Sequence, residues 1–189
     1  MDSFDALEME INNARNEFYS ESGKNTFFKK QQKFNCAQRV ASQIPIEHLL
    51  ARTCWIQEEP AFVRIDYPIL KTYASPEVFE LIVDHIIKIC KSSIATFRKL
   101  NVALNLDTFT VSAAERYNVL IELFCHKCFQ ENTGFSLSLE QFIIYNTPST
   151  IDLIKPILLP LLLEEIRPKI KLVSKKDTPA VMFSLGCAI

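Results

Sequence analysis

Glycine is scarce in this chain, with three residues in 189, at positions 23, 134 and 186. A phosphate-cradling loop brings several glycines into one turn so that backbone amides can approach the anion, and that chemistry is excluded here. Gly23-Lys24-Asn25-Thr26 has the end of such a loop without its earlier glycine or a preceding strand. Histidine is as scarce: there are three, and none stands beside a serine or cysteine in a nucleophile elbow. Excess charge is missing too. The 21 basic and 22 acidic side chains leave a formal charge of −1, which gives no global attraction to nucleic acid. Long apolar runs are absent: the longest, residues 156–163, is broken by proline and flanked by Lys155 and Glu164, well short of the ~20 apolar residues a membrane span takes. The opening residues Asp2, Asp5, Glu8 and Glu10 are acidic where a signal peptide would be basic and then apolar, so a cytoplasmic protein is expected.

What is present is an ordinary globular balance, 48% hydrophobic and 23% charged, in a length that suits one domain with a core plus an extension. Of six cysteines, Cys54, Cys90, Cys125 and Cys128 fall inside apolar periodic segments, and with no secretion signal they read as reduced, buried thiols. Phe4, Leu7, Ile11, Ala14 and Phe18 recur at spacings of three and four, which predicts an amphipathic helix ended near Gly23. A second helical piece is predicted over 35–43 and a short turn of helix over 46–50, with Pro45 between them. From Thr53 the pattern becomes extended: Cys54-Trp55-Ile56 and Phe62-Val63-Arg64-Ile65 read as a hairpin or one interrupted edge strand, around the turn signal Glu58-Glu59-Pro60.

Ser75-Pro76-Glu77 predicts the start of a long helix burying Phe79, Ile82, Val83, Ile86, Cys90 and Ile94, and 102–106 reads as a strand. Ser112 and Glu115 have the spacing of a capping box, opening a helix that buries Tyr117, Leu120, Ile121, Phe124 and Cys128. Phe142-Ile143-Ile144-Tyr145 reads as a buried strand, 149–165 as a strongly apolar helix, and Ile170-Lys171-Leu172-Val173 as the next strand. Strand and helix therefore alternate after residue 60. That predicts an α/β fold with a mostly parallel sheet under helical cover, preceded by a helical extension. The expected divisions are residues 1–50 for the extension, 51–175 for the α/β body and 176–189 for an apolar tail.

Cys125-His126-Lys127-Cys128 has the spacing of a zinc half-site or a redox dithiol. No second pair with matching spacing exists, and a redox pair belongs at a helix's amino end, whereas this one falls about thirteen residues after Ser112. Core cysteines are the better reading, and no metal or cofactor is expected. Asp107 closes a predicted strand, where α/β enzymes often place function, yet no partner carboxylate or base converges on it, and a turn role for Asp107 and Thr108 is favoured. Lys24, Lys29, Lys30 and Lys33 are interleaved with Phe27, Phe28 and Phe34. Such a segment could dock on an acidic protein or, peripherally, on an anionic membrane; equally, the rings could pack inward while the lysines are solvated. Nucleic acid is disfavoured by the overall charge.

The strand ending at Asn146-Thr147-Pro148, the apolar helix with Pro160 and Leu162, and Lys169-Ile170 opening the next strand resemble, in type and interval, the core of the CRAL-TRIO (Sec14-like) lipid-binding domain. Leu159 and Leu161 stand where that family usually has lysine and an aromatic. The resemblance covers roughly residues 52–174. It implies a compact α/β sandwich holding a hydrophobic ligand between the sheet and a gate, a role in binding and transfer, and no inherited catalytic residue. The family continues past the lysine-isoleucine strand into a gate helix, whereas nineteen residues follow Ile170 here, and 178–183 is the apolar remnant available as a lid. In size and general appearance the chain also resembles short CRAL-TRIO-like proteins of large DNA viruses, which would suit a particle or scaffold component.

Two functions follow as expectations. The first is a non-enzymatic module taking a lipid tail or other apolar ligand against Phe142, Ile144, Ile151, Ile154, Leu158 and Leu161, with Val181, Met182 and Phe183 as the lid. The second is an interaction or structural module that keeps the fold, fills the pocket with side chains, and docks a protein partner through the basic aromatic segment and the tail. An apolar void of a few hundred cubic ångströms separates them.

Overall fold

The computed structural model describes residues 3–23, 27–130 and 134–186, so Lys24 and Cys187 lie outside the described residues. In chain order the elements are α1 (Ser3–Ser22), α2 (Lys29–Gln43), α3 (Ile46–Thr53), β1 (Cys54–Gln57), β2 (Phe62–Asp66), α4 (Tyr67–Tyr73), α5 (Phe79–Phe97), β3 (Leu100–Asn105), α6 (Val111–Arg116), α7 (Asn118–Cys125), α8 (Phe135–Ser138), β4 (Leu139–Thr147), α9 (Ile151–Leu158), β5 (Ile170–Ser174) and α10 (Thr178–Ser184). The five strands form one sheet in sequence order. β1 and β2 make the antiparallel hairpin, and β2 to β5 are parallel. The fold is α/β with a mostly parallel sheet.

Register fixes the two faces, because successive strand residues point to opposite sides. Val63, Val102, Phe142 and Ile170 are paired across four strands and form an apolar row on the front face, whereas Arg64, Ala103, Ile143 and Lys171 form the row behind. Residues from α5, α6, α7 and α9 join the front row in one buried cluster. Ile11, Phe34, Val40 and Leu49 belong to the same cluster, so α1 to α3 share the core with the sheet. Behind the sheet, Met182 of α10 packs with Phe62, Ala103, Ile143, Tyr145 and Val173.

Several local expectations are corrected. α2 begins at Lys29 instead of Asn35, so the basic aromatic segment is partly helical. The cap ahead of α6 is Thr110, whose hydroxyl accepts from the Ala113 amide at 3.2 Å, and not Ser112. The helix expected to run on from there is broken at Tyr117 into α6 and α7. The helix predicted over 149–165 stops at Leu158, two residues after Pro156, which removes one backbone donor and crowds the preceding turn. Arg167 holds the irregular chain that follows, donating to the Leu159 and Leu162 carbonyls at 3.1 and 3.3 Å. α4, which directly follows β2, has no counterpart in the sequence reading.

Candidate functional site

Along the front face the packing is uneven. At the amino ends of the parallel strands, among Leu100, Val102, Leu139, Cys90 and Cys128, the residual void is about 10 Å³, at the lower limit for a single water molecule. Toward the carboxyl ends a cavity of about 170 Å³ remains, partly open to solvent. Its floor is Ile65, Leu104, Phe142 and Ile144; Val83 and Ile86 of α5, Leu120 and Phe124 of α7, and Leu158 of α9 enclose it. The carboxyl ends of parallel strands are where α/β folds usually bind ligands, because the loops diverge there and leave space between sheet and helices.

No charged side chain lines this cavity. Tyr67, Tyr117 and Cys125 are the lining residues that carry an ionisable group, and the wall they help to form exposes only apolar atoms. Burial pushes Tyr67 up to about 12, with Tyr117 adding to the lift and the Arg116 guanidinium drawing it back. Burial likewise raises Tyr117, again opposed by Arg116, and pushes Cys125 up to about 12, with Glu122 adding to the lift. All three are neutral near pH 7. The lining therefore offers apolar contact, with no acid or base.

Of the residues expected to hold a ligand, Phe142, Ile144 and Leu158 line the cavity together, and so do Leu162 and Ile170 of the family-like motif. Ile154 is completely buried in the adjoining core, and Ile151 and Leu161 pack against that core instead of lining the space. The expected lid is corrected: Val181, Met182 and Phe183 are on α10, behind the sheet. The reason is strand alternation. α10 meets Ile143 and Tyr145, whose neighbours Phe142 and Ile144 face the cavity. Phe183 is 86% exposed.

The remaining motif residues shape turns. Asn146 takes a left-handed conformation at φ 53°, which asparagine tolerates better than most residues. Its amide donates to the Thr178 hydroxyl at 3.0 Å and its side-chain nitrogen to Asn105 Oδ1 at 2.9 Å. Pro148 supplies the carbonyl that accepts from the Ile151 amide at 3.0 Å, and Pro160 sits in a 3₁₀ turn, Leu159–Leu161. Lys169 donates to the Ser136 carbonyl at 2.7 Å.

The basic aromatic segment is divided by the structure. Phe34 is buried, with ring contacts of 6.2 Å to both Phe79 and Tyr117. Phe27 and Phe28 are 91% and 72% exposed beside exposed Lys29, Lys30 and Lys33. Cys125 and Cys128 are buried in the core cluster. Asp107 serves a turn, its amide donating to Asn105 Oδ1 at 3.0 Å and its carboxylate accepting from Lys175 at 2.7 Å.

Arg116 is the residue that sequence reasoning missed. It stands at i+3 from Ala113 and i−4 from Leu120, inside the apolar stripe of its helix, and that position was the available signal. The guanidinium lies 4.9 Å from the Tyr117 ring centroid, and the residue is only 9% exposed.

Among the described residues, no helix is long and apolar enough to cross a membrane, and no group of three His, Cys, Asp or Glu side chains could hold a metal ion. No protein-family model matches the chain, and comparison with the curated proteins finds no match.

Proposed function

We propose that this protein is a non-enzymatic binding module of the CRAL-TRIO type that holds a small apolar ligand between the front of its sheet and α5, α7 and α9. The supporting observation is the uncharged, apolar cavity of about 170 Å³ at the carboxyl ends of β2, β3 and β4. Its size sets the ligand class. An apolar cavity of about 150 Å³ accepts one benzene ring, so this space suits a single ring or a short alkyl chain and is too small for a two-chain phospholipid.

Native mass spectrometry of protein purified without detergent, with organic extraction of what co-purifies, tests this reading. A stoichiometric small apolar compound, lost in the variant Ile144→Trp that fills the floor, is the expected result. A clean apo mass that stays unchanged after incubation with mixed liposomes and with short-chain alcohols would overturn it.

A second reading is favoured by the exposure of Phe27 and Phe28 beside Lys29 and Lys30. Two exposed rings on a basic segment suit peripheral docking on an anionic membrane or acidic partner, so a carrier of this kind would collect its ligand at that surface. Flotation with phosphatidylserine vesicles, lost when both rings become serine, is the expected result; equal flotation with the double variant would remove this role.

A further inference from the structure

The two edges of the sheet are finished differently. No residue of β1 is exposed, and His85 Nε2 of α5 lies 3.1 Å from the Cys54 carbonyl. β5 ends the sheet on the other side, and there Lys171, Leu172 and Ser174 are exposed. An edge strand turns every second amide and carbonyl away from its neighbour, which leaves a row of donors and acceptors for another chain. Among the described residues, the backbone of Ile170, Lys171 and Leu172 has no hydrogen-bond partner outside β4.

Charge marks this edge. Arg167, Lys169, Lys171, Lys175 and Lys176 fall between Glu165 and Asp177 with no acid among them. Lys175 meets Asp107 at 2.7 Å, and the Asp177 carboxylate accepts from the Ser174 hydroxyl at 2.7 Å. Lys171 and Lys176 are exposed and, among the described residues, make no ion pair. Leu172 pairs with Ile144 and so projects in front of the sheet, 37% exposed, while Lys171 pairs with Ile143 and projects behind it. Pairing of β5 with a second copy would set these lysines against one another, and like charges across a strand pair are destabilising. The same charge favours an acidic strand.

We propose that β5 is a docking edge for an extended acidic peptide of a partner protein, which adds to the sheet as a further strand. Backbone hydrogen bonds to the open side of Ile170–Ser174 hold the peptide, and its alternating side chains are selected by the two faces. An apolar residue meets Leu172 in front, and a carboxylate meets Lys171 behind. The docking edge requires neither a ligand in the cavity nor the segment of Phe27 and Phe28.

Fluorescence anisotropy with a labelled peptide of alternating valine and glutamate tests this, because as a strand it puts every valine on one face and every carboxylate on the other. It should bind about tenfold or more tightly than the same peptide with lysine for glutamate, and it should slow amide exchange in β5. Lys171→Glu, a change at an exposed side chain, should weaken it by about threefold to tenfold without altering thermal unfolding. Methylation of alternate peptide nitrogens keeps the charge and removes one hydrogen-bonding edge, so binding should be lost. Equal binding of the methylated peptide would overturn strand addition and leave only attraction between charges. Equal binding of the lysine peptide, or no binding of the glutamate peptide at millimolar concentration, would overturn the acidic partner. A dimer of the free protein in sedimentation, abolished by Leu172→Pro, would give the edge to a second copy and overturn it as well.

Discussion

The two faces of the sheet come from the same strands and solve opposite problems. In front, the row Val63, Val102, Phe142 and Ile170 meets thick helical cover and is stabilised by apolar area. Behind, the strands present Arg64, Asn101, Asn105 and Tyr145, covered in part by one short helix. Cohesion there is directional. Arg64 donates to Gln57 at 3.1 Å and to the Tyr145 hydroxyl at 2.9 Å, Asn105 donates to Asp66 at 3.2 Å, and Asn101 donates to the Ala61 carbonyl at 3.2 Å. Non-directional packing tolerates a void, and the cavity is in front. A hydrogen-bonded layer tolerates one poorly, because each polar group left dry and unpaired costs stability. The contrast explains why the cavity lies on the side with more cover.

The largest effect should come from the front. Phe142→Ala removes a ring that lines both the cavity and the neighbouring tight packing, and a loss of about 3–5 kcal/mol in urea unfolding is expected. A loss below about 1 kcal/mol would mean that the front face does not carry the core. The matching change behind is Arg64→Met, which keeps most of the volume and removes the guanidinium bonds to the buried Tyr145 hydroxyl and to Gln57. About 1–3 kcal/mol should be lost, through broken hydrogen bonds rather than missing area. If Arg64→Met is neutral, the polar layer is ornament and the two faces differ less than their chemistry suggests.

The faces themselves were legible in the sequence. The alternation in Phe142-Ile143-Ile144-Tyr145 and the stripe from Phe79 to Ile94 gave the parallel strands and the long helix, because period-2 and period-3.6 burial are both written in residue order. Phe142, Ile144 and Leu158 were found for the same reason. What alternation leaves open is which later element covers which side, and the tail was therefore placed in front when α10 lies behind. α4 escaped notice because seven residues that directly follow a strand show barely two turns of any period. Arg116 escaped because a charged residue inside an apolar stripe looks like an interruption of the pattern, when it is a buried part of it.

A smaller test sharpens the front face. If the cavity is void in the free protein, Leu158→Phe should fill part of it and raise stability by about 0.5–2 kcal/mol, while weakening the binding of any small apolar ligand. Thermal unfolding with and without octanol reads both effects. A destabilised variant that still binds would show that the space is already complementary to side chains on every wall, with no room near Leu158.

The smallest effect belongs to the back face and depends on pH. Burial lifts the Asp66 carboxyl above the ordinary carboxylate range and Glu8 adds slightly, while Arg52, the Asn105 amide and Arg64 pull it down only in part. The folded chain therefore holds that proton more tightly than the unfolded chain does. Below the ordinary carboxylate pKa the group is protonated in both states and costs nothing; as pH rises through the window just above it, the unfolded state ionises first and stability falls. Above the lifted pKa the penalty is constant. Asp66→Asn keeps the shape and removes the ionisation, so its stability relative to the parent should rise across that window and then level off. Unfolding free energies measured at intervals between pH 3 and pH 7 would show it. A difference independent of pH would mean that Arg52, at 3.8 Å, compensates the buried carboxylate fully. The back face would then be balanced in charge at Asp66, and its difference from the uncharged cavity wall in front would be sharper still.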